Sequence, residues 1–230
     1  MTDEYTISPA DLEAVPVFPL PGTVLLPRTF ISLHVFEPRY RAMMEYCIEG
    51  ARLLAIAMLD DRKNPDEHGR PAIFPVAGLG ALRRAAKLPD GRFNLVLEGV
   101  ARVDLSDELG PDEIFRRAHA QLLEDKGDVD LPRETASLRA LALRALTQTG
   151  GDNKELVASI SEVAEPGALA DLVAAALVEN ARDRQRILDA ARVDHRLELT
   201  AGLVGAMLLD EAAKPSGTPS LGWGIVPGKA

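Results

Sequence analysis

Apolar residues in the first half of the chain occur in short runs that are separated by turn residues and charged loops. Short apolar runs and two-residue alternation are typical of strands, whose successive side chains point to opposite faces. Proline cannot donate to a ladder, so Pro16 and Pro19 predict that the first strand lies at an unpaired edge. The pattern predicts a sheet built from residues 15–20, 23–26, 31–35, 53–58, 76–87, 93–97, 101–105 and 115–123.

One helix interrupts these strands. Pro38 suits the first position of a helix, where its missing N–H costs nothing, and apolar residues follow at spacings of three and four. The pattern predicts a helix over 38–49 with an apolar face made of Tyr40, Met43, Met44 and Cys47. Because Cys47 lies on that face with no predicted base nearby, we interpret it as a core residue.

Two turns are marked by their residues. Pro21-Gly22 ends the first strand candidate. Residues 88–92 read Leu-Pro-Asp-Gly-Arg, with Pro second, Asp90 third and Gly91 fourth, as a turn favours. This segment predicts a hairpin between residues 76–87 and 93–97.

Aromatic residues are distributed unevenly along the chain. Nine of the ten precede residue 130, whereas 34 of the 92 residues from 131 to 222 are Ala or Leu. Aromatic residues favour pleated sheets, and Ala and Leu favour helices. The sequence therefore predicts an α+β protein with a β-rich part followed by an all-helical part.

The boundaries follow from the same shift in composition. Helical spacing predicts helices over 132–148 and 153–165, another around 169–177, and two between 182 and 213, the last capped by Asp194. The sequence leaves open whether Trp223 packs on the body of the protein. We expect a flexible N-terminus at 1–13, a β-rich subdomain at 14–124, a hinge at 125–131, a helical bundle at 132–213 and a Gly/Pro-rich tail at 214–230.

Composition narrows the classes of function. The chain has 230 residues, a net charge of −9 and 47% apolar residues, values typical of a globular protein. Basic residues are not clustered in either half, which argues against binding to a nucleic-acid backbone. There is no 18-residue apolar run and no signal-peptide pattern, and the single cysteine excludes an intrachain disulfide. We therefore expect a cytoplasmic protein with no nucleic-acid or membrane partner.

The common motifs of catalysis and metal binding do not occur. The sequence contains no GxxxxGK[S/T] loop, HExxH pair, GxSxG elbow or GxGxxG loop. His34 and Glu37 could begin an acid/base or metal pair, but no third partner is identifiable. Asp125, Asp128 and Asp130 lack the glutamate and the spacing of a calcium loop. We expect no cofactor, no metal and no catalytic residue.

Two segments carry a resemblance. Residues 16–27 read PVFPLPGTVLLP, and residues 33–40 read LHVFEPRY. They resemble the amino-terminal substrate-recognition domain of Lon proteases, in the form found in short bacterial proteins that consist of that domain alone. LPDGRFN at 88–94, EGVARV at 98–103 and PGALAD at 166–171 extend the resemblance to about residues 15–212.

The resemblance implies a twisted, PUA-like β pseudo-barrel with one helix, followed by a helical bundle. The same fold occurs in the amino-terminal part of cereblon. It also implies a role in holding unfolded or extended polypeptide, because this region of the protease recognises substrates while other domains do the chemistry. The ATPase and Ser/Lys peptidase modules are absent from the sequence, so we expect a binding module and not an enzyme.

The motif residues have a structural interpretation. We expect Glu37 and Arg39 to fix the corner between strand and helix by hydrogen bonding, with Phe36 and Tyr40 packed beneath it. Glycines at the two turns would serve backbone geometry. As an alternative, the corner also lines a binding groove. The candidate residues are Pro21, Gly22, His34, Phe36, Glu37, Pro38, Arg39, Tyr40, Asp90 and Gly91.

Several functions remain open at this point. The leading hypothesis is contact with polypeptide through exposed apolar surface in the cleft between sheet and helices, with strand addition at an open edge. A second is an adaptor or regulator that docks one folded partner, such as a protease. The others are a stand-alone hydrolase that uses His34 and Glu37, and RNA binding by analogy with PUA domains.

Overall fold

Six strands form one mixed sheet in the first half of the chain, and five helices follow in the second half. This computed structural model describes residues 6–110, 114–127, 130–149 and 153–213. The strands are β1 (Val15–Leu20), β2 (Phe30–Val35), β3 (Leu53–Met58), β4 (Val76–Lys87), β5 (Phe93–Glu108) and β6 (Arg116–Leu122). The helices are α1 (Pro38–Glu49), α2 (Pro132–Thr149), α3 (Lys154–Glu162), α4 (Pro166–Leu177), α5 (Ala181–Asp189) and α6 (Val193–Ala213).

The predicted α+β class is confirmed, with one helix inside the β-rich part and a helical second half. The tail at 214–230 with Trp223, the first five residues and Asp128 lie outside the described residues. Residues 7–12 differ from the expected flexible terminus. Pro9–Leu12 form a 3₁₀ turn, Ser8 donates its N–H (2.9 Å) and hydroxyl (2.7 Å) to Asp11, and Ile7 packs against the sheet core.

The sheet closes on itself through five of its strands. The order is β2-β5-β4-β3-β1-β6, and a second pairing joins β5 to β6. Two short strands were predicted where β5 forms one, because a bulge at Val100 bends it without ending it. The first half of β5 pairs with β2 and the second half with β6. As a result, β2 is added to the barrel but is not part of the closed ring.

The predicted edge position of β1 is wrong. This strand lies between β3, which is parallel to it, and β6, which is antiparallel. Pro16 precedes the β3 ladder, which starts at Val17, and Pro19 lies beyond the β6 ladder, which ends at Val17. Each proline therefore has one side free of a ladder, and the missing N–H groups cost no hydrogen bond.

The predicted strand at 23–26 is also wrong. The segment forms no strand, although Val24, Leu25 and Leu26 are buried. Its backbone crosses the sheet at two glycines. A Cβ on Gly78 would overlap the Leu25 carbonyl, and a Cβ on Gly99 would overlap the Leu26 carbonyl. The apolar run is buried by this close approach and not by strand pairing.

Helix α1 packs its apolar side against one face of the sheet. The predicted face of Tyr40, Met43, Met44 and Cys47 is buried, which confirms the helix and its orientation. Its neighbours in the core are aromatic and aliphatic residues of the strands, including Phe18 and Phe93.

The helical bundle has its own apolar core. Leu138 of α2, Val173 of α4 and Leu197 of α6 are fully or almost fully buried in it. The two helices predicted between 182 and 213 are confirmed as α5 and α6, but the predicted cap is not. Helix α6 begins at Val193, so Asp194 is its second residue and pairs with Arg192 instead.

The sheet and the helices meet across a filled interface. Val24, Leu26 and Met58 from the β part pack with Ile187 and Leu188 of α5, and all five are buried. The expected cleft of exposed apolar surface between sheet and helices is therefore closed, because the segment at 24–26 fills it.

Two buried arginines also join the sheet to the helices. Arg102 of β5 donates to the Leu188 carbonyl (3.1 Å) and pairs with buried Asp171 of α4. Arg196 of α6, which is 0% exposed, donates to the second oxygen of Asp171 (3.2 Å) and pairs with Asp125. Asp171 thus bridges two guanidinium groups, and we name the four residues Arg102, Asp125, Asp171 and Arg196 the charge network.

The described part of the predicted hinge is anchored by this network. Asp125 belongs to it, and the next residue bonds to the start of α6. The Lys126 N–H donates to the Ala191 carbonyl (2.8 Å), and the Lys126 carbonyl accepts from the Val193 N–H (3.0 Å). Residues 125–126 therefore lie along the bundle.

Replacing Arg196 with Met should destabilise the fold by about 3–5 kcal/mol, because Asp125 would lose its close arginine partner and buried Asp171 would keep only one of its two. Urea unfolding followed by circular dichroism measures the change. The matched control is Arg192→Ala, which breaks the exposed pair with Asp194 at the start of α6 and should leave the midpoint nearly unchanged. Equal midpoints for the two variants would contradict a structural role for the network.

Replacing Gly99 with Ala should destabilise the fold by about 1–3 kcal/mol, because the new methyl group would overlap the Leu26 carbonyl. Gly202→Ala is the control, since nothing lies within 4 Å of a Cβ there. At that exposed helical position the change to Ala should stabilise by roughly 0.5–1 kcal/mol. Thermal unfolding of both variants is the measurement, and a stable Gly99→Ala protein would show that residues 24–26 can move aside.

Candidate functional site

Strand β2 has a neighbouring strand on one side only. It pairs with β5 along its whole length without a register shift and ends the order of the sheet. The Gly99 N–H donates to the Thr29 carbonyl (2.8 Å). By the alternation of an antiparallel ladder, the backbone groups of Phe30, Ser32 and His34 then point away from β5. These outward groups have no backbone partner within the described part of the chain.

The side chains along this border are uncharged. Phe30 is 57% exposed, and Phe36, directly after the strand, is 60% exposed. Ser32 and His34 are exposed between them, and the rings of His34 and Phe36 stack with centroids 6.3 Å apart. We name these four residues, Phe30, Ser32, His34 and Phe36, the β2 edge. Proteins usually protect such an edge with charges, prolines or bulges, and β2 contains none of these.

The charged residues that flank the edge are paired. Arg28, before β2, forms a salt bridge with Glu165 of the segment that precedes α4. After β2, the Arg39 Nε donates to Glu37 (3.0 Å), which confirms the predicted bond at the corner. The edge therefore presents aromatic and polar groups between two neutralised ion pairs.

Pro38 and Tyr40 hold the corner between the end of β2 and the start of α1. Pro38 occupies the first helical position of α1, as predicted. Tyr40 is buried against Phe18 with ring centroids 4.4 Å apart, and the Arg39 guanidinium lies 4.5 Å from the centroid of the Tyr40 ring. Burial raises the pKa of the Tyr40 hydroxyl, so this residue is a packing element of the corner.

The β4–β5 hairpin supports the same corner from the other side. His34 Nδ1 is 2.7 Å from Asn94 Oδ1, and His34 Nε2 is 3.3 Å from the Arg92 guanidinium. Arg92 in turn donates its N–H (3.1 Å) and Nε–H (2.6 Å) to Asp90, and these bonds hold the pKa of Asp90 below its usual range. The predicted turn at 88–92 is confirmed, with Gly91 at φ +81°. A Cβ on Gly91 would overlap the Arg41 guanidinium, so the glycine also admits that side chain.

The structure brings most of the predicted residues together, with two exceptions. His34, Phe36, Glu37, Pro38, Arg39, Tyr40, Asp90 and Gly91 surround the corner at the end of β2. Pro21 and Gly22 lie elsewhere: Gly22 has φ +64°, and its position faces Ala181 of α5. The expectation that Phe36 packs beneath the corner is wrong, because its ring is exposed beside His34.

Sequence reasoning missed Phe30, Arg92 and Asn94. Phe30 fell outside the predicted strand at 31–35, and the two hairpin residues contact His34 only through the β2–β5 pairing. One signal was available: residues 29–36 form an uncharged stretch with Phe, Ser, His and Phe at every second position. That alternation indicates one exposed face, but which strand ends a sheet is set by the topology.

The polar side chains around the β2 edge form hydrogen bonds with one another. His34 bonds to Asn94 and Arg92, while Glu37 bonds to Arg39. Among the described residues, no group of three or more His, Cys, Asp or Glu is arranged to hold a metal ion. The exposed groups of the β2 edge thus include outward backbone N–H and C=O groups and two aromatic rings.

Shallow grooves occur elsewhere on the surface. One of about 310 Å³ is lined by Arg186 of α5 and by His195, Leu199 and Leu203 of α6. Another of about 290 Å³ lies between the start of α2 and the start of α4, next to Arg139. Neither groove contains a residue of the β2 edge. None of the helices in the described ranges is both long and apolar enough to cross a membrane.

The closed barrel, the added strand and the attached bundle define a PUA-like α+β domain. A family model described as the ATP-dependent protease La (LON) substrate-binding domain matches residues 14–205, and the chain belongs to this family.

Relatives and solved structures agree with this assignment. The Lon protease of Desulfosudis oleivorans is 26% identical over 187 residues, which cover 81% of this chain and 23% of that protein. The Lon protease of Azospirillum brasilense is 30% identical over 188 residues, which cover 80% of this chain and 23% of that protein. The chain thus spans less than a quarter of the length of these two curated relatives.

Two solved structures share the fold. The N-terminal domain of the Mycobacterium avium complex Lon protease superposes with a TM-score of 0.67 at 19% identity, covering 84% of this chain and 98% of that chain. A Lon N-terminal domain protein from Xanthomonas campestris gives a TM-score of 0.60 at 23% identity, covering 88% of this chain and 99% of that chain.

Cys47 should be unreactive in the folded protein. Its side chain is 2% exposed, and burial raises the pKa of the thiol to about 12, so almost no thiolate exists near pH 8. Ellman's reagent should label Cys47 only after urea is added. Labelling at the same rate with and without urea would contradict its place in the core.

Proposed function

We propose that this chain holds extended polypeptide segments by adding them as a further strand to the β2 edge. The observation that carries the proposal is an uncharged edge strand with outward backbone groups at Phe30, Ser32 and His34. Strand addition obtains affinity from main-chain hydrogen bonds and selectivity from side chains at alternate positions. Membership of the substrate-binding family supports the same class of ligand.

The balance of energies indicates weak binding. Ordering a client segment of five residues costs roughly 5–10 kcal/mol of backbone entropy. The three outward residues offer three donors and three acceptors, each worth about 1 kcal/mol net when bonded. Six such bonds, about 6 kcal/mol in total, offset only the lower end of this cost, so apolar contact with the exposed rings of Phe30 and Phe36 is needed for net affinity. We therefore expect clients with bulky apolar residues at alternate positions.

We also infer that the chain acts by binding and not by catalysis. The polar side chains near the β2 edge are hydrogen-bonded to one another: His34 bonds to Asn94 and Arg92, and Glu37 bonds to Arg39. The net charge of −9 supports a polypeptide ligand over a nucleic acid.

The Ser32→Pro variant tests the backbone contribution directly. Proline removes the central outward N–H and places its ring where a client strand would lie, while edge positions tolerate proline. Affinity for a reduced, carboxymethylated lactalbumin should fall by about tenfold, which corresponds to about 1.4 kcal/mol, near the value of one hydrogen bond. Ser32→Thr keeps the N–H and should bind as the parent does. Fluorescence anisotropy of the labelled client is the measurement.

The Phe30→Ser and Phe36→Ser variants test the apolar contribution to client binding. They also keep the proposal testable if the Ser32→Pro protein does not fold. Both rings are more than half exposed, so their loss should leave stability nearly unchanged and weaken client binding. Unchanged affinity in all three edge variants would exclude the β2 edge. Stoichiometric capture of one folded protein, unaffected by Ser32→Pro, would favour the adaptor function instead.

A further inference from the structure

The β2 edge is complementary to itself. If two copies pair antiparallel about Leu33, Phe30 of one copy lies opposite Phe36 of the other, and Ser32 lies opposite His34. In this register the outward backbone groups of each strand face those of the other, as hydrogen-bonded antiparallel pairs require. The same contact then occurs twice, as in an isologous two-fold interface.

The chemistry of the edge also suits a second copy. A two-fold contact places like residues near each other, so charges on an edge strand would repel across it. Residues 30–36 contain no Asp, Glu, Lys or Arg, and the flanking Arg28 and Arg39 are paired with Glu165 and Glu37. The two exposed phenylalanines would cover each other across the strands, which aromatic cross-strand pairs favour.

We propose that two copies of this chain associate reversibly through their β2 edges, in the register centred on Leu33, and that this dimer withholds the edge from polypeptide. The regulatory part rests on the proposed function, because dimerisation and client binding would use the same backbone groups. The monomer is then the form that binds, and a rising protein concentration lowers the fraction of free edges.

Sedimentation velocity of the full chain, from low micromolar to several hundred micromolar, tests the association. The parent protein should shift from monomer to dimer. Two charged variants, Ser32→Lys/His34→Lys and Ser32→Glu/His34→Glu, should each stay monomeric, because like charges oppose each other across the two-fold axis. Their equimolar mixture should form a heterodimer. A parent that stays monomeric, charged variants that dimerise alone, or a mixture that stays monomeric would each overturn the proposal.

Thiol cross-linking tests the register. In a hydrogen-bonded antiparallel pair the Cα atoms lie about 5.5 Å apart, within the range of a disulfide. Ser32→Cys/His34→Cys should therefore give a covalent dimer under mild oxidation, whereas Ser32→Cys alone should give little. Efficient cross-linking of Ser32→Cys alone would overturn the Leu33-centred register. Circular dichroism checks that each variant is folded.

Competition separates this proposal from the proposed function. Added carboxymethylated lactalbumin should convert the dimer to a monomer–client complex. A dimer that binds the client without dissociating would overturn the regulatory step. Client binding by a protein that is monomeric at every concentration would overturn the dimer and leave the proposed function intact. A dimer that forms as described while the protein binds no client would overturn the proposed function and leave the association intact.

Discussion

The charge network is the interaction on which the arrangement of the two subdomains depends. Asp171 is shared by Arg102 of the barrel and Arg196 of the bundle, and both arginines are buried. Apolar surfaces can slide and repack at modest cost, but a buried charge without its partner costs several kcal/mol. Because the partners come from β5, α4, α6 and the connecting segment, one relative position of barrel and helices satisfies all of them.

This fixed position determines which surfaces remain for binding. The helices cover the barrel where Val24 and Leu26 meet α5, so the interface expected to form a cleft is occupied by the protein's own side chains. The closed ring gives each of its five strands two neighbouring strands, because β5 pairs again with β6. Short stretches of the ring strands also have a ladder on one side only, such as residues 84–87 of β4, but within the described residues β2 is the strand with one neighbour along its whole length. The proposed function therefore uses the β2 edge and not the filled interface with α5.

The sequence predicted those features that depend on local pattern. Strand and helix positions, the turn with Asp90 and Gly91, and the split at residue 130 follow from spacing and composition. Pairing partners do not follow from local pattern. β1 contains two prolines and still lies between two strands. The apolar residues 24–26 are buried without strand pairing, because two distant glycines let their backbone approach the sheet closely. The charge network joins residues up to 71 positions apart, for example Arg196 and Asp125. No local pattern marks such partners.

The corner residues can have a structural role and a role in the proposed binding at the same time, because both roles depend on holding β2 extended. An unpaired strand is a good template only if it is already extended, since a template that must be ordered adds its own entropy to the cost of binding. β5 holds one side of β2, Pro38 and the Glu37–Arg39 bond fix where it ends, and the hairpin holds His34 through Asn94 and Arg92. These contacts leave the outward N–H and C=O groups in a line. In the proposed function, the corner would contribute to binding by keeping the edge in the conformation that an added strand requires.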